Sequence, residues 1–133
     1  RAEFEKGIAA GDFFEYAEVY GNLYGTSKKV LDEYLQKFLY VFAIIDVKGA
    51  QTLKSKIKDV VVIFIRPGSL EDVRHRLIKA RGELPKDELQ KRLDTAAHEL
   101  SLASTFDVVV DNLDGHFDHA VRKLARIIEK GRA

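Results

Sequence analysis

The chain predicts an α/β fold with a mainly parallel sheet covered by helices, and three observations point to it. Three short apolar runs, Leu39 to Asp46, Val60 to Ile65 and Phe106 to Val110, have the near-continuous hydrophobicity of strands buried on both faces. Stretches with helical spacing separate them, as connections between parallel strands require. Near the start, a glycine-punctuated segment switches to strict alternation and adds a smaller β-rich part.

Residues Arg1 to Ala10 carry Phe4 and Ile8 at helical spacing and stop before Gly11, which reads as a short helix with a glycine cap. From Phe13 the period becomes two and continues to Tyr20, placing Glu15 and Glu18 on opposite faces, so only one can line a given pocket. Gly21 and Gly25 bracket a second extended piece, and Val30, Tyr34 and Phe38, or Leu31 and Leu35, mark a helix after it. Leu39 to Asp46 then reads as a buried parallel strand ending in an acid, at the end where open α/β sheets bind ligands. A helix from about Gly49 to Ile57 leads to Val60 to Ile65, and Pro67-Gly68 ends that strand. Ser69 opens the next helix with Asp72 three residues on, in a capping-box position. Pro85 precedes a long helix, about Lys86 to Ala103, striped by Leu89, Leu93, Ala96, Ala97 and Leu100. Phe106 to Val110 is the third apolar strand, and Phe117, Val121, Leu124 and Ile128 stripe the last helix.

Composition narrows the class of function. The 133 residues are 46% hydrophobic and 32% charged, with a net charge of +1, which suits one globular domain. Balanced charge gives no footprint for nucleic acid or an anionic membrane, so neither partner is expected. The longest apolar run is far short of the roughly 20 residues a membrane helix requires. Absence of cysteine excludes disulfides and thiolate metal sites, and a reducing, cytoplasmic setting is the expectation. His116 and His119 are three apart beside Asp114 and Asp118, but no third ligand is well placed, and a polar turn is the preferred reading over a metal site.

The chemistry concentrates in Glu15-Tyr-Ala-Glu-Val-Tyr-Gly-Asn-Leu-Tyr-Gly-Thr-Ser27, where a carboxylate, a phenol and two hydroxyls sit on short extended segments joined by glycines. That set can cradle a purine monophosphate. Guanine presents two adjacent donors, N1–H and the 2-amino group, so one carboxylate can accept from both and reject adenine. Glu15 is the natural reader.

This stretch resembles the GMP-binding hairpin of guanylate kinases, with Asn22-Leu-Tyr-Gly-Thr-Ser27 its most recognisable part. Ile45-Asp-Val-Lys-Gly-Ala50, Ile63-Phe-Ile65 with Pro67 and Ser69, and the arginine-bearing stretch from Arg76-Leu to Arg92-Leu93 are similar to later segments of that family, in the family's order. The resemblance implies a P-loop-NTPase-like three-layer sandwich with a GMP-binding subdomain in residues 1–35, core in 36–68, a helical lid in 69–104 and C-terminal core in 105–133. It assigns Glu15, Thr26 and Asp46 to guanine, Tyr24 to the 5′-phosphate, Arg76, Arg81 and Arg92 to the transferring phosphates, and Asn112 to the adenine side of ATP. The implied activity is transfer of a phosphoryl group from ATP, with Mg²⁺, to GMP. The family's G-x-x-x-x-G-K-[ST] phosphate loop does not occur within these residues, so the chain reads as an N-terminally shortened piece and is expected to be inactive alone. The alternative is a guanylate-kinase-like module that binds a phosphopeptide and has lost catalysis.

Overall fold

A computed structural model describes residues 1–19 and 21–131. The chain divides into two compact units, one from Arg1 to Val60 and the other from Val61 onward.

The first unit begins with helix α1 (Ala2–Ala10), ended by Gly11 in the left-handed region, where glycine carries no steric penalty. Strands β1 (Phe13–Val19) and β2 (Asn22–Ser27) pair antiparallel; Tyr20, part of the predicted alternation, lies outside the described residues. Between Phe13 and Glu15 the register shifts, because Phe13 faces Ser27 while Glu15 faces Thr26. Phe14 is thus the extra residue of a bulge, beyond which the pairs run without interruption from Glu15–Thr26 to Val19–Asn22. Phe4 of α1 stacks on Phe13 with ring centroids 4.4 Å apart. A Cβ on Gly25 would lie 3.0 Å from the Phe4 ring, so the glycine admits that aromatic pair against the hairpin.

Ser27 ends β2 and caps α2 (Lys28–Lys37), its hydroxyl accepting from Val30 N–H. Helix α3 (Val47–Lys56) is capped in the same way by Asp46, which accepts from Gly49 N–H at 2.7 Å, and it packs against β1 through buried Gly49, Ala50 and Leu53. At its other end Lys56 Nζ donates to the carbonyl of Phe14 at 2.5 Å. A bulge interrupts the ladder, and this lysine supplies a donor at the interruption.

In the second unit, β3 (Ile63–Arg66) and β4 (Val108–Asp111) pair parallel, with Ile63 facing Val108 and Arg66 facing Asp111. Between them run α4 (Leu70–Arg81), α5 (Lys86–Ser101) and a 3-10 turn (Ala103–Thr105), and α6 (Phe117–Lys130) follows β4. Ser69 caps α4 by accepting from Asp72 N–H and donating to the Asp72 carboxylate. The core here is Phe106, fully buried Val110, Ala103 and Ala120, with Phe64 stacked on Phe106 at 5.6 Å.

Two expectations are corrected. Leu39 to Asp46 forms no strand: Leu39 is 75% and Phe42 69% exposed, and Asp46 is a helix cap instead of a strand end. A strand needs a neighbour for its N–H and C=O groups, and among the described residues this run has none, whatever its composition. Among the described residues, the expected mainly parallel sheet is accordingly replaced by two two-stranded sheets, one antiparallel and one parallel.

The last pair of the parallel register carries an ion pair, Arg66 Nε to Asp111 Oδ1 at 2.6 Å. This hydrogen bond holds the Asp111 carboxyl below the usual carboxylate range, with attraction to Arg66, Lys123 and His119 assisting against some desolvation. A lowered folded-state value favours the native state above the ordinary carboxylate range, and the benefit disappears as pH falls through the lowered value. Asp111→Asn should therefore lower the urea midpoint slightly at pH 7, with the gap closing as pH drops below about 4. The effect should stay small because both side chains are more than a third exposed. A gap that persists undiminished at pH 2 would contradict this account.

Candidate functional site

Side chains two apart on a strand share a face, and Glu15, Ala17 and Val19 of β1 lie beside Thr26 and Tyr24 of β2 on one side of the hairpin. That face forms one wall of a cavity of about 610 Å³, within the range of small-ligand sites. Val30 and Tyr34 of α2, the run from Val41 to Ile45, and Asp46 complete its lining. Glu15, Tyr24, Thr26 and Asp46 therefore meet at one cavity inside the first unit. Glu18 points the other way, where it pairs with Arg1 at 3.1 Å.

Within this cavity Glu15 is the outlier, a carboxylate only 5% exposed. Burying such a group is costly unless its oxygens are hydrogen-bonded. Thr26 Oγ1 donates to Glu15 Oε1 at 2.6 Å, in the short range of a charge-assisted bond. The uninterrupted register beyond the bulge makes this possible by placing the two residues directly across the ladder. Asp46 presents a second carboxylate from the start of α3, held by Gly49 N–H. A purine with two adjacent donors would find acceptors from both residues, and a mostly apolar wall would exclude water from its ring. Tyr24 is exposed at the cavity and carries an uncharged donor.

The arginines lie in the second unit. Arg76 of α4 donates through Nη2 to the Asn112 carbonyl at 2.6 Å and forms an ion pair with Asp114 at 2.5 Å. It also lines a hollow of about 300 Å³ with Ile65, Pro67 and Leu77. Arg76 and Asn112 are thus brought together. Arg92 of α5, with 11% side-chain exposure, pairs with Glu88 one turn earlier at 2.7 Å, and Arg81 is exposed at the end of α4. Helices α4 and α5 pack on each other. Among the described residues, no group of three or more His, Asp or Glu side chains is arranged to hold a metal. Among the described residues, no helix is long and apolar enough to cross a membrane.

Sequence reasoning missed Asp114 as the partner of Arg76, and Gly49 as the close neighbour of both carboxylates. The first contact spans 38 residues and leaves no local signal. The second had one: Asp46 followed three residues later by a glycine inside a helix, where glycine is disfavoured without a reason.

The family model described as guanylate kinase matches residues 1–131. A guanylate kinase of Rubrobacter xylanophilus is 39% identical over 98% of the chain and 69% of its own length. One from Hahella chejuensis is 40% identical over 99% of the chain and 62% of its own length, and one from Clostridium perfringens is 38% identical over 96% and 58%. The crystal structure of guanylate kinase from Anaplasma phagocytophilum superposes with a TM-score of 0.77 at 29% identity, covering 98% of this chain and 61% of that one. The chain thus shares the P-loop-NTPase class of fold to which such enzymes belong, over about 60% to 70% of their length. It is a member of the guanylate kinase family.

Removing the Thr26 hydroxyl leaves a buried carboxylate oxygen without its donor. Thr26→Val should destabilise the fold by about 2 kcal/mol in urea unfolding at pH 7, whereas Thr26→Ser, which keeps the donor, should stay within about 1 kcal/mol. Equal stability of the two variants would mean that the bond carries no weight.

Proposed function

We propose that residues 1–133 provide the acceptor site of a guanylate kinase, and that the protein to which they belong transfers a phosphoryl group from ATP to GMP. The observation that carries this reading is the buried Glu15 carboxylate, which faces the same cavity as Thr26, Asp46 and Tyr24. Glu15 would accept from guanine N1–H and the 2-amino group, Asp46 from the 2-amino group, and Thr26 would donate to the guanine carbonyl oxygen. Tyr24 would donate to the 5′-phosphate.

Thr26 has one hydroxyl proton, and in this structure it serves Glu15. When guanine enters, that proton turns to the base while Glu15 takes N1–H in exchange. Each group leaves one partner and gains another, so recognition needs no interval with a bare buried carboxylate. Adenine presents an unprotonated N1 and no 2-amino group, so it offers Glu15 nothing in return.

Arg76, Arg81 and Arg92 are proposed to reach the transferring phosphates, where planar multi-donor cations match the charge spread over the equatorial oxygens. Their present partners, Asp114 and the Asn112 carbonyl for Arg76 and Glu88 for Arg92, would hold them until the polyphosphate competes. Asn112 is proposed to lie toward the adenine. Mg²⁺ would come with ATP, coordinated chiefly by its phosphates. Chemistry in such a site is positioning and charge stabilisation more than covalent work.

Calorimetric titration of the purified chain should show GMP binding more tightly than AMP, and Glu15→Gln should weaken GMP about 100-fold or more while leaving AMP little changed. Binding of an acidic phosphopeptide with no preference for GMP would replace this reading with the interaction-module one. Incubated with ATP, Mg²⁺ and GMP, residues 1–133 alone should form no ADP, because they contain no G-x-x-x-x-G-K-[ST] loop to hold the donor phosphates. Steady ADP production would refute that part.

A further inference from the structure

Gly49 sits in the first turn of α3, where its N–H donates to Asp46 Oδ1 at 2.7 Å. The place a Cβ would occupy on it is 2.8 Å from that same oxygen and 2.8 Å from Glu15 Oε2, with Glu15 Cδ at 3.2 Å. Ordinary contact with a Cβ begins at 3.4 Å, so both carboxylates stand where a side chain on this residue would stand. Gly49 is buried, as is Glu15, which leaves little room to yield without moving a carboxylate. Its helical conformation is one that any residue can adopt, so turn geometry does not explain the glycine. What explains it is the space.

We propose that Gly49 is a positioning residue for guanine selectivity: its missing side chain lets the Glu15 and Asp46 carboxylates converge, so that both can accept from the amino edge of one base. This deepens the guanine reading of the cavity and rests on it. A methyl group at this position would push Glu15 Oε2 and Asp46 Oδ1 away from one another. The nearest Glu15 atoms lie at the far end of a flexible side chain, so the carboxylate gives way while the helix keeps its backbone. Alanine is also the better helix former. Substitution should therefore change stability little, the helix propensity of alanine offsetting strain on the Asp46 cap and on Glu15, while recognition is damaged. Adenine uses neither carboxylate as an acceptor partner, so AMP should not register the change.

The test compares the parent chain, Gly49→Ala and, as a control on the exposed side of α3, Gln51→Ala. GMP and AMP are titrated against each by calorimetry, and thermal unfolding is followed without nucleotide. For Gly49→Ala the expected result is a melting temperature close to the parent's, GMP affinity weaker by about tenfold or more, and AMP affinity unchanged. Gln51→Ala should match the parent throughout. Unchanged GMP affinity in Gly49→Ala, or an equal loss for GMP and AMP, would each overturn the inference. A parent chain that does not prefer GMP over AMP would instead overturn the guanine reading itself, and this inference with it.

Discussion

Burying Glu15 in a hairpin is unfavourable unless its oxygens keep partners, and the hydroxyl of Thr26 at 2.6 Å is the partner that the opposite strand supplies. Much of the first unit can be understood as what that bond requires. The ladder beyond the bulge at Phe14 holds the two residues in register, Lys56 donates to the Phe14 carbonyl, and α3 lies against β1 with a glycine beneath the carboxylate. Glu18, three positions along the same strand, shows the contrast. It faces outward to an exposed pair with Arg1, of a kind that contributes little to stability.

A parallel logic holds in the second unit, where charged groups proposed for phosphate already have acidic or carbonyl partners. Arg76 is held by Asp114 and the Asn112 carbonyl, and Arg92 by Glu88. A guanidinium that gives up one planar acceptor for another changes its hydrogen bonds far less than one taken from water. The arrangement also ties the middle of α4 to the loop after β4, so the helix carrying Arg76 and the segment carrying Asn112 share a fastening.

Local signals were the ones the sequence carried well. Gly11 stops α1, Ser69 with Asp72 opens α4, the Leu89 to Leu100 stripe marks α5, and alternation in β1 separates Glu15 from Glu18. All depend on residues within a few positions of one another. Leu39 to Asp46 failed for the complementary reason: apolar composition is necessary for a buried strand, but pairing depends on a neighbour that the run itself does not specify. The bulge, the 2.8 Å approach of Glu15 to Gly49 and the Arg76 to Asp114 pair were illegible because each joins segments distant in the chain. Asp46 was singled out for its place in a motif, and its first structural task turned out to be capping a helix.

The extra residue in β1 has a bearing on how this hairpin can vary in length. Phe13 already faces Ser27 and Glu15 faces Thr26, so losing the single residue between them would close the bulge and leave Glu15 opposite Thr26. The pairs from Val19–Asn22 to Glu15–Thr26 run without interruption, so their register is set from the connection between the strands, and a change of length there can slide the ladder and give Glu15 a different partner. A one-residue loss in natural or engineered variants is thus absorbed at the base of this hairpin and felt at its tip, where one residue of spacing decides which side chain meets the acid.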